Sequence, residues 1–319
     1  MTSITYPKLK YRLVRNRRIL FVSGALAGFG GMLSILIGPS TTFFNDPMVF
    51  TTFLGLWLLA MATLVVRYPN NWMDPVGLSL ALVPFIAATP VYEMLLTLPT
   101  GDRLVLGALW MIFLVSFGWF FTYLGFISLA GNLMQRVKLG ECRQSGRAVT
   151  DLKPDLIVSA FFPRPNASSA LRTSGPVDDD GFFEVTHRTQ MPSLESFELE
   201  EQSFTYRVKI LEQTAHSIVS LSVLEQTDGT FTSSVEKLSV RTNNGQTIFE
   251  QEEVHDHFDL LSGIGYWLSD FATDSAIARL EELSDRPRLA NRFAPWDSLL
   301  TSMAHYFKSR ETDPHSSIR

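Results

Sequence analysis

Four long apolar stretches fill most of the first 135 residues and constrain this chain more than any other feature. The runs 19–38, 48–66, 76–98 and 104–130 are apolar, and Glu93 is the one charged side chain within them. A helix rises about 1.5 Å per residue, so about twenty residues cross the ~30 Å hydrocarbon core of a bilayer. Runs this long and this poor in polar residues predict four transmembrane helices. The first, behind six basic residues and with small residues near Ala25 and Gly28, also has the form of a signal peptide. The three runs that follow argue for an anchor instead.

Loop charges predict the orientation. Lys8, Lys10, Arg12, Arg15, Arg17 and Arg18 precede the first span, and Arg136, Lys138, Arg143 and Arg147 follow the fourth. The 39–47 loop has no basic residue, and the other two have one each, Arg67 and Arg103. A multi-pass protein with both termini in the cytoplasm satisfies this pattern, and an even number of spans agrees with it.

The remainder of the chain differs in kind. Residues 150–319 carry 15 basic and 27 acidic side chains, against 12 and 5 in residues 1–149. An acidic soluble part excludes nucleic acid as a partner, because phosphate contact needs Lys and Arg. The single cysteine, Cys142, excludes a disulfide within the chain and suits a reducing compartment. The expected organisation is a basic N-terminus (1–18), a membrane region (19–135), a linker (136–153), a soluble α+β domain (154–285) and an amphipathic tail (286–319).

Within the membrane region, Gly24 and Gly28 form a G-x-x-x-G that Gly31 extends, a spacing that lets helices approach closely. Packing among the spans is the expected use. Pro84, Pro90 and Glu93 interrupt the third run. An intramembrane carboxylate is a functional candidate, and broken helices recur in transporters. Glu93 nevertheless sits close to the Leu98-Pro99 end, within reach of Arg103, and no second ionisable residue accompanies it in any run.

In the soluble part, β signals dominate. DLIVSAFF (155–162) reads as a buried strand, and FFEVTHR (182–188) as another. FTYRVKIL (204–211) alternates, with Phe204, Tyr206, Val208 and Ile210 on one face. SIVSLSVLEQ, TFTSSVEKLSV and TIFEQEEV follow, joined at Asp228-Gly229 and Asn244-Gly245, both strong hairpin signals. Residues 255–283 read as one long helix, with Leu261, Ile264, Leu268 and Phe271 spaced along one side. The fold class is a four-span helical membrane bundle joined to an α+β cytoplasmic domain, an antiparallel sheet closed by a long C-terminal helix.

That order resembles the START-like, or Bet v 1-like, helix-grip superfamily, the SRPBCC group of polyketide cyclases and lipid-transport domains. The resemblance covers about residues 152–284 and rests on strand order, the two late hairpins and the terminal helix, with no diagnostic motif. It implies a sheet wrapped around the helix and an apolar cavity between them. The family places two short helices between its first two strands, whereas here only 166–180 is available, with a weak helical stretch at NASSALR. A smaller sheet-plus-helix module of the pleckstrin-homology-like kind therefore stays open.

No catalytic or cofactor motif is present. His255 and His257 stand beside Glu252 and Glu253 but have no third histidine nearby, and a solvated helix start is the expected reading. The run 178–181 lacks the spaced oxygens of a calcium loop. There is no phosphate-cradling glycine loop and no G-x-S-x-G. Gly263 and Gly265 in the helix read as close-packing positions on the sheet or as space for a ligand, with packing the expected use. The tail 293–310 carries an apolar stripe with flanking basic residues, suited to an anionic membrane surface or to internal packing.

The resemblance implies a membrane-anchored binding domain for an apolar ligand of the lipid or isoprenoid class, while the residues themselves supply a mostly apolar sheet face and helix. Its candidate ligand-lining residues are Phe204, Tyr206, Val208, Leu261, Ile264, Trp267, Leu268 and Phe271. No cofactor and no metal is expected; membrane lipids, an apolar small molecule and a protein partner are the candidate partners. The alternatives are an assembly protein whose soluble domain binds another protein, and an enzyme acting on a membrane-derived substrate.

Overall fold

The computed structural model describes residues 4–37, 45–90, 117–169, 171–192, 199–225, 231–284 and 287–294. The chain divides into two compact units. One runs from Arg12 to Met134, and the other combines the first eleven residues with Gln135–Trp296.

The basic N-terminal segment forms α1 (Tyr6–Arg15). The first unit then holds α2 (Arg17–Ile37), α3 (Pro47–Arg67), α4 (Met73–Ala87) and α5 (Phe117–Arg136). α2, α3 and α5 are long and apolar enough to cross a bilayer, and they mark the chain as a membrane protein. α4 is apolar but shorter. The expectation of four spans falls in part on residues 91–116, including Glu93 and Arg103, which lie outside the described residues. α3 begins where Asp46 accepts from the Met48 and Val49 amides with Pro47 behind it, an N-cap followed by proline at the first helical position.

Glycines set the helix spacing in this unit. A methyl added to Gly24 would meet Leu58 at 3.0 Å, one on Gly31 would meet Phe50 at 2.2 Å, and one on Gly30 would meet Val83 and Ile86. Gly24 and Gly31 thus seat α2 on α3, and Gly30 seats it on α4. Gly28 faces open space. Several of its polar side chains are paired across helices, whereas the Ser23 and Ser34 hydroxyls are buried without a hydrogen-bond partner among the described residues. Trp57 Nε1 donates to Ser79 Oγ (3.1 Å), Trp119 Nε1 to the Leu78 carbonyl (3.2 Å), and Tyr123 Oη to buried Asp74 (2.5 Å).

The second unit is built on a seven-stranded antiparallel sheet: β1 (Lys138–Thr150), β2 (Arg172–Ser174), β3 (Phe183–Pro192), β4 (Leu199–Gln213), β5 (Ser217–Glu225), β6 (Phe231–Asn243) and β7 (Gln246–Asp259). The spatial order is β1-β7-β6-β5-β4-β3-β2, so the first strand pairs with the last and the sheet stays open between β1 and β2. Asn244 and Gly245 both have positive φ (50° and 77°), as a two-residue hairpin turn requires. α6 (Pro154–Phe161) connects β1 to β2, and α7 (Leu260–Leu268) and α8 (Phe271–Glu282) follow β7.

Four expectations are corrected here. Residues 136–153 are not a linker, since 138–150 form β1, paired along its length with β7. Its inner face carries Cys142, Gln144, Gly146 and Ala148, which have no apolar periodicity, so the strand left no hydrophobic trace. Residues 155–161 of the expected strand are helical, not extended. Pro154 occupies the first turn with Asp155 beside it, and Ile157, Val158, Ala160 and Phe161 are buried; a short apolar run does not distinguish the two states. The long helix at 255–283 is shorter and broken. β7 continues to Asp259, whose carboxylate caps α7 through the Ser262 amide (2.8 Å), and Asp270 at φ 52° separates α7 from α8. NASSALR is not helical either: Ser168 bridges to Thr173 at the edge of β2.

The core lies between the sheet, α6 and α8. Ile157, Phe161, Ile218, Leu238, Val240, Phe249, Ala276 and Leu280 form one buried cluster, and Phe183, Val185 and Val208 form a second. Gly146 permits the approach of α8, because an added methyl there would stand 2.1 Å from the Ala272 carbonyl oxygen. On the other side of α8, two carboxylates hold residues 287–294. Asp274 accepts from the Asn291 and Arg292 amides, and Glu281 from the Leu289 and Ala290 amides, at 2.8–3.1 Å.

Candidate functional site

Strand register determines which side chains face α8, and it brings charge into the interior. Leu238 and Val240 of β6 are buried there, so Glu236, two positions earlier, shares their face. Gln251 and Glu253 share the face of Phe249 on β7 in the same way. Arg172 and His187 are register partners on β2 and β3. From α8, Arg279 reaches Glu236 (2.7 Å), and Glu282 accepts from Thr189 of β3 (2.6 Å). The Arg172 Nη1 donates to the Phe161 carbonyl at the end of α6 (2.7 Å).

His255 and Glu253 form an ion pair at 3.3 Å. His255 lies in β7, half-buried and stacked on Phe258 (5.1 Å), not at a solvated helix start. Burial alone would push the imidazole down, but the Glu253 hydrogen bond and charge, with Glu236 and Asp256, hold it above the ordinary histidine value. Burial likewise pushes the Glu253 carboxyl up, and His255, Arg279 and Arg292 more than offset it. His187 behaves oppositely. Burial, then the positive charges of Arg172, Arg279 and Arg292, pull it down to about 3, so it is neutral at physiological pH. Burial also raises the Tyr206 and Tyr266 hydroxyls, keeping both protonated. Among the described residues no cluster of three or more His, Cys, Asp or Glu is arranged to hold a metal ion.

A groove of about 870 Å³ opens on the far side of α8. The end of β1 and its exit (Ala148, Leu152), α8 (Ile277, Leu280), Leu289 of the following segment, and Thr5 and Pro7 at the N-terminus line it. Its wall is mainly apolar, with Asp151 and Glu281 at its margin.

Comparison with known proteins supplies no family. No family model matches the chain, and no curated protein matches it. Among solved structures, a Deinococcus radiodurans structural-genomics protein is similar at 10% identity and a TM-score of 0.23, covering 43% of this chain and 98% of its own. An uncharacterized Rhizobium leguminosarum protein is similar at 10% identity and a TM-score of 0.25, covering 44% and 98%. Neither likeness carries a functional argument.

The eight residues singled out from the sequence separate in space. Val208 is buried in the second core cluster and Tyr206 packs against it. Phe204, on the same face, is partly exposed beside the His187 ring (5.5 Å). On the helical side Leu268 is buried, Leu261 and Ile264 are half-buried, and Phe271 stacks on Tyr266 at 4.1 Å. Trp267 is 57% exposed. None of the eight lines the groove, whose residues come from β1 and from the segment after α8. Sequence reasoning missed Arg172, His187, Glu236 and Arg279 altogether. For Glu236 a signal existed, since it sits two positions from Leu238 on an alternating strand.

Proposed function

We propose that this is a membrane-anchored binding protein whose soluble domain takes up an apolar ligand of the lipid or isoprenoid class. In this reading the membrane region has four spans, both termini are cytoplasmic, and the soluble domain is of the helix-grip type. The groove beside α8 carries the proposal: its volume is within the range of small-molecule sites, and its wall is apolar with few polar groups. Pro7 on its rim precedes Arg17, the first residue of the first span, by only ten positions in sequence. Strand order and helix placement support the helix-grip assignment. β1 pairs with β7, a helix stands between β1 and β2, and two helices follow β7. Tyr206 and Val208, on one face of β4, pack in the second core cluster and are not among the residues lining the groove.

The test is retention. Full-length protein purified in a mild non-ionic detergent should release a stoichiometric apolar molecule on organic extraction. Ile277→Trp, which fills the groove, should lose it while the circular dichroism spectrum is kept. If wild type and variant release the same lipids in the same amounts, the reading fails.

The Glu253–His255 pair favours a second reading, an enzyme on a membrane-derived substrate. A carboxylate hydrogen-bonded to an imidazole is an arrangement that general acid–base chemistry uses. Unaltered recovery of the extracted ligand after prolonged incubation with fresh protein would count against it.

A further inference from the structure

We infer that the buried corner formed by Arg172, His187 and Arg279 binds an anionic group, a carboxylate or phosphate. It lies between the β2–β3 edge of the sheet and α8. Arg172 and His187 are only 7% and 9% exposed, and they sit side by side as register partners. Thr189 stands two positions past His187 on the same face and is hydrogen-bonded to Glu282, one turn beyond Arg279 on α8. That contact holds the Arg279 turn over the strand.

Each of the three side chains has a buried nitrogen with no partner among the described residues: Arg172 Nε, His187 Nδ1 and Arg279 Nη1. A guanidinium has five donors and no acceptor, so a buried unmet N–H is a cost that a bound acceptor removes. The nearby carboxylates each have one polar contact, although Glu282 Oε2 is buried without a partner among the described residues. Glu236 pairs with Arg279, Glu253 with His255, and Glu282 accepts from Thr189. Among the described residues no carboxylate lies within ion-pair distance of Arg172, whose Nη1 is satisfied only by the neutral Phe161 carbonyl. Arg172 therefore carries a buried guanidinium charge with no carboxylate in ion-pair contact. Carboxylates and phosphates match a guanidinium fork better than any neutral group does. The Phe204 ring against His187 gives an apolar wall beside the charge, suited to the first carbons of an amphiphile.

The inference draws on the binding-protein reading only for the source of the anion, and the test separates the two. Full-length protein in phosphatidylcholine nanodiscs is titrated calorimetrically with octyl phosphate, octanol and inorganic phosphate. Octyl phosphate should bind at least about tenfold more tightly than octanol. The paired substitution Arg279→Gln with Glu236→Gln removes both charges together and keeps the shapes, and Arg172→Gln removes the unbalanced guanidinium. Each should abolish the preference for the phosphate while octanol binding is unchanged. Binding of inorganic phosphate without octanol would uphold the anion corner, with free phosphate as its source, and sink the apolar reading. Octanol binding as tight as octyl phosphate, or octyl phosphate binding unaltered in Arg172→Gln, would overturn the corner and leave the groove standing. Failure of all three probes to bind would overturn both.

Discussion

The Tyr11 hydroxyl donates to Asp274 Oδ1 at 2.8 Å, joining residues 263 positions apart. The same carboxylate accepts the Asn291 and Arg292 amides and is 3% exposed. One side chain of α8 therefore gathers the N-terminal helix and the segment after α8. Tyr11→Phe removes a single neutral-to-charged hydrogen bond and should cost about 1–2 kcal/mol. Asp274→Asn turns an N–H toward backbone donors and should cost more, about 2–3 kcal/mol. Hydrogen exchange of amides 287–294 measures both, and equal protection in the two variants would show that Asp274 is not the hub.

Two glycines should respond oppositely to alanine. At Gly146 the new methyl meets the Ala272 carbonyl oxygen at 2.1 Å, backbone against backbone, so β1 and α8 must separate. We expect Gly146→Ala to destabilise the soluble domain by at least about 1–3 kcal/mol. Gly28→Ala meets nothing within 4 Å and should be neutral, or slightly stabilising through helix propensity. Thermal unfolding of the purified variants checks the contrast.

The histidines predict opposite pH dependence. His187 has a folded pKa of about 3 against an unfolded value of about 6.5. Between these the unfolded chain binds the extra proton, so stability falls as pH drops through that window, by up to ~1.4 kcal/mol per pH unit. His255 is raised, so its contribution is complete below about pH 6.5 and is lost as pH rises through its folded pKa. His187→Gln should flatten the acid limb of a melting-temperature profile, and His255→Gln should flatten the limb near neutrality. A His187→Gln profile parallel to wild type from pH 6.5 to 4.5 would exclude the buried neutral imidazole as the cause.

Cys142, the single thiol, is half-buried on β1, shortly after α5. The proposed cytoplasmic orientation predicts that a membrane-impermeant maleimide labels it in inside-out vesicles and leaves intact cells unlabelled. Labelling of intact cells would reverse the orientation.

Much of the sheet was legible because its strands alternate. Phe204, Tyr206 and Val208 share a face as their spacing predicts, and Asn244-Gly245 turns β6 into β7. β1 was not legible because its inner face is small and polar: Gly146 lies beneath a helix backbone, and Gln144 is the register partner of Glu253. The helix at Pro154–Phe161 was ambiguous because it is short and buries consecutive apolar residues. The charged corner was hidden for a different reason. Arg172, His187 and Arg279 come from three separate elements, and only strand register and the path of α8 bring them together. The residues that carry the membrane-surface hypothesis for the tail, from Trp296 onward, lie outside those described.

Pairing the first strand with the last has a consequence for biosynthesis. β3 to β7 are successive neighbours and can zip together as each emerges from the ribosome, but Lys138–Thr150 of β1 has its partner about a hundred residues downstream. A nascent chain stalled before Gln246 would hold β1 as an unclaimed edge directly behind α5, while the meander behind it had already begun to form. The sheet can be completed only once β7 has emerged as far as Asp259, so protease protection of β1 should appear late and all at once in a series of stalled chains.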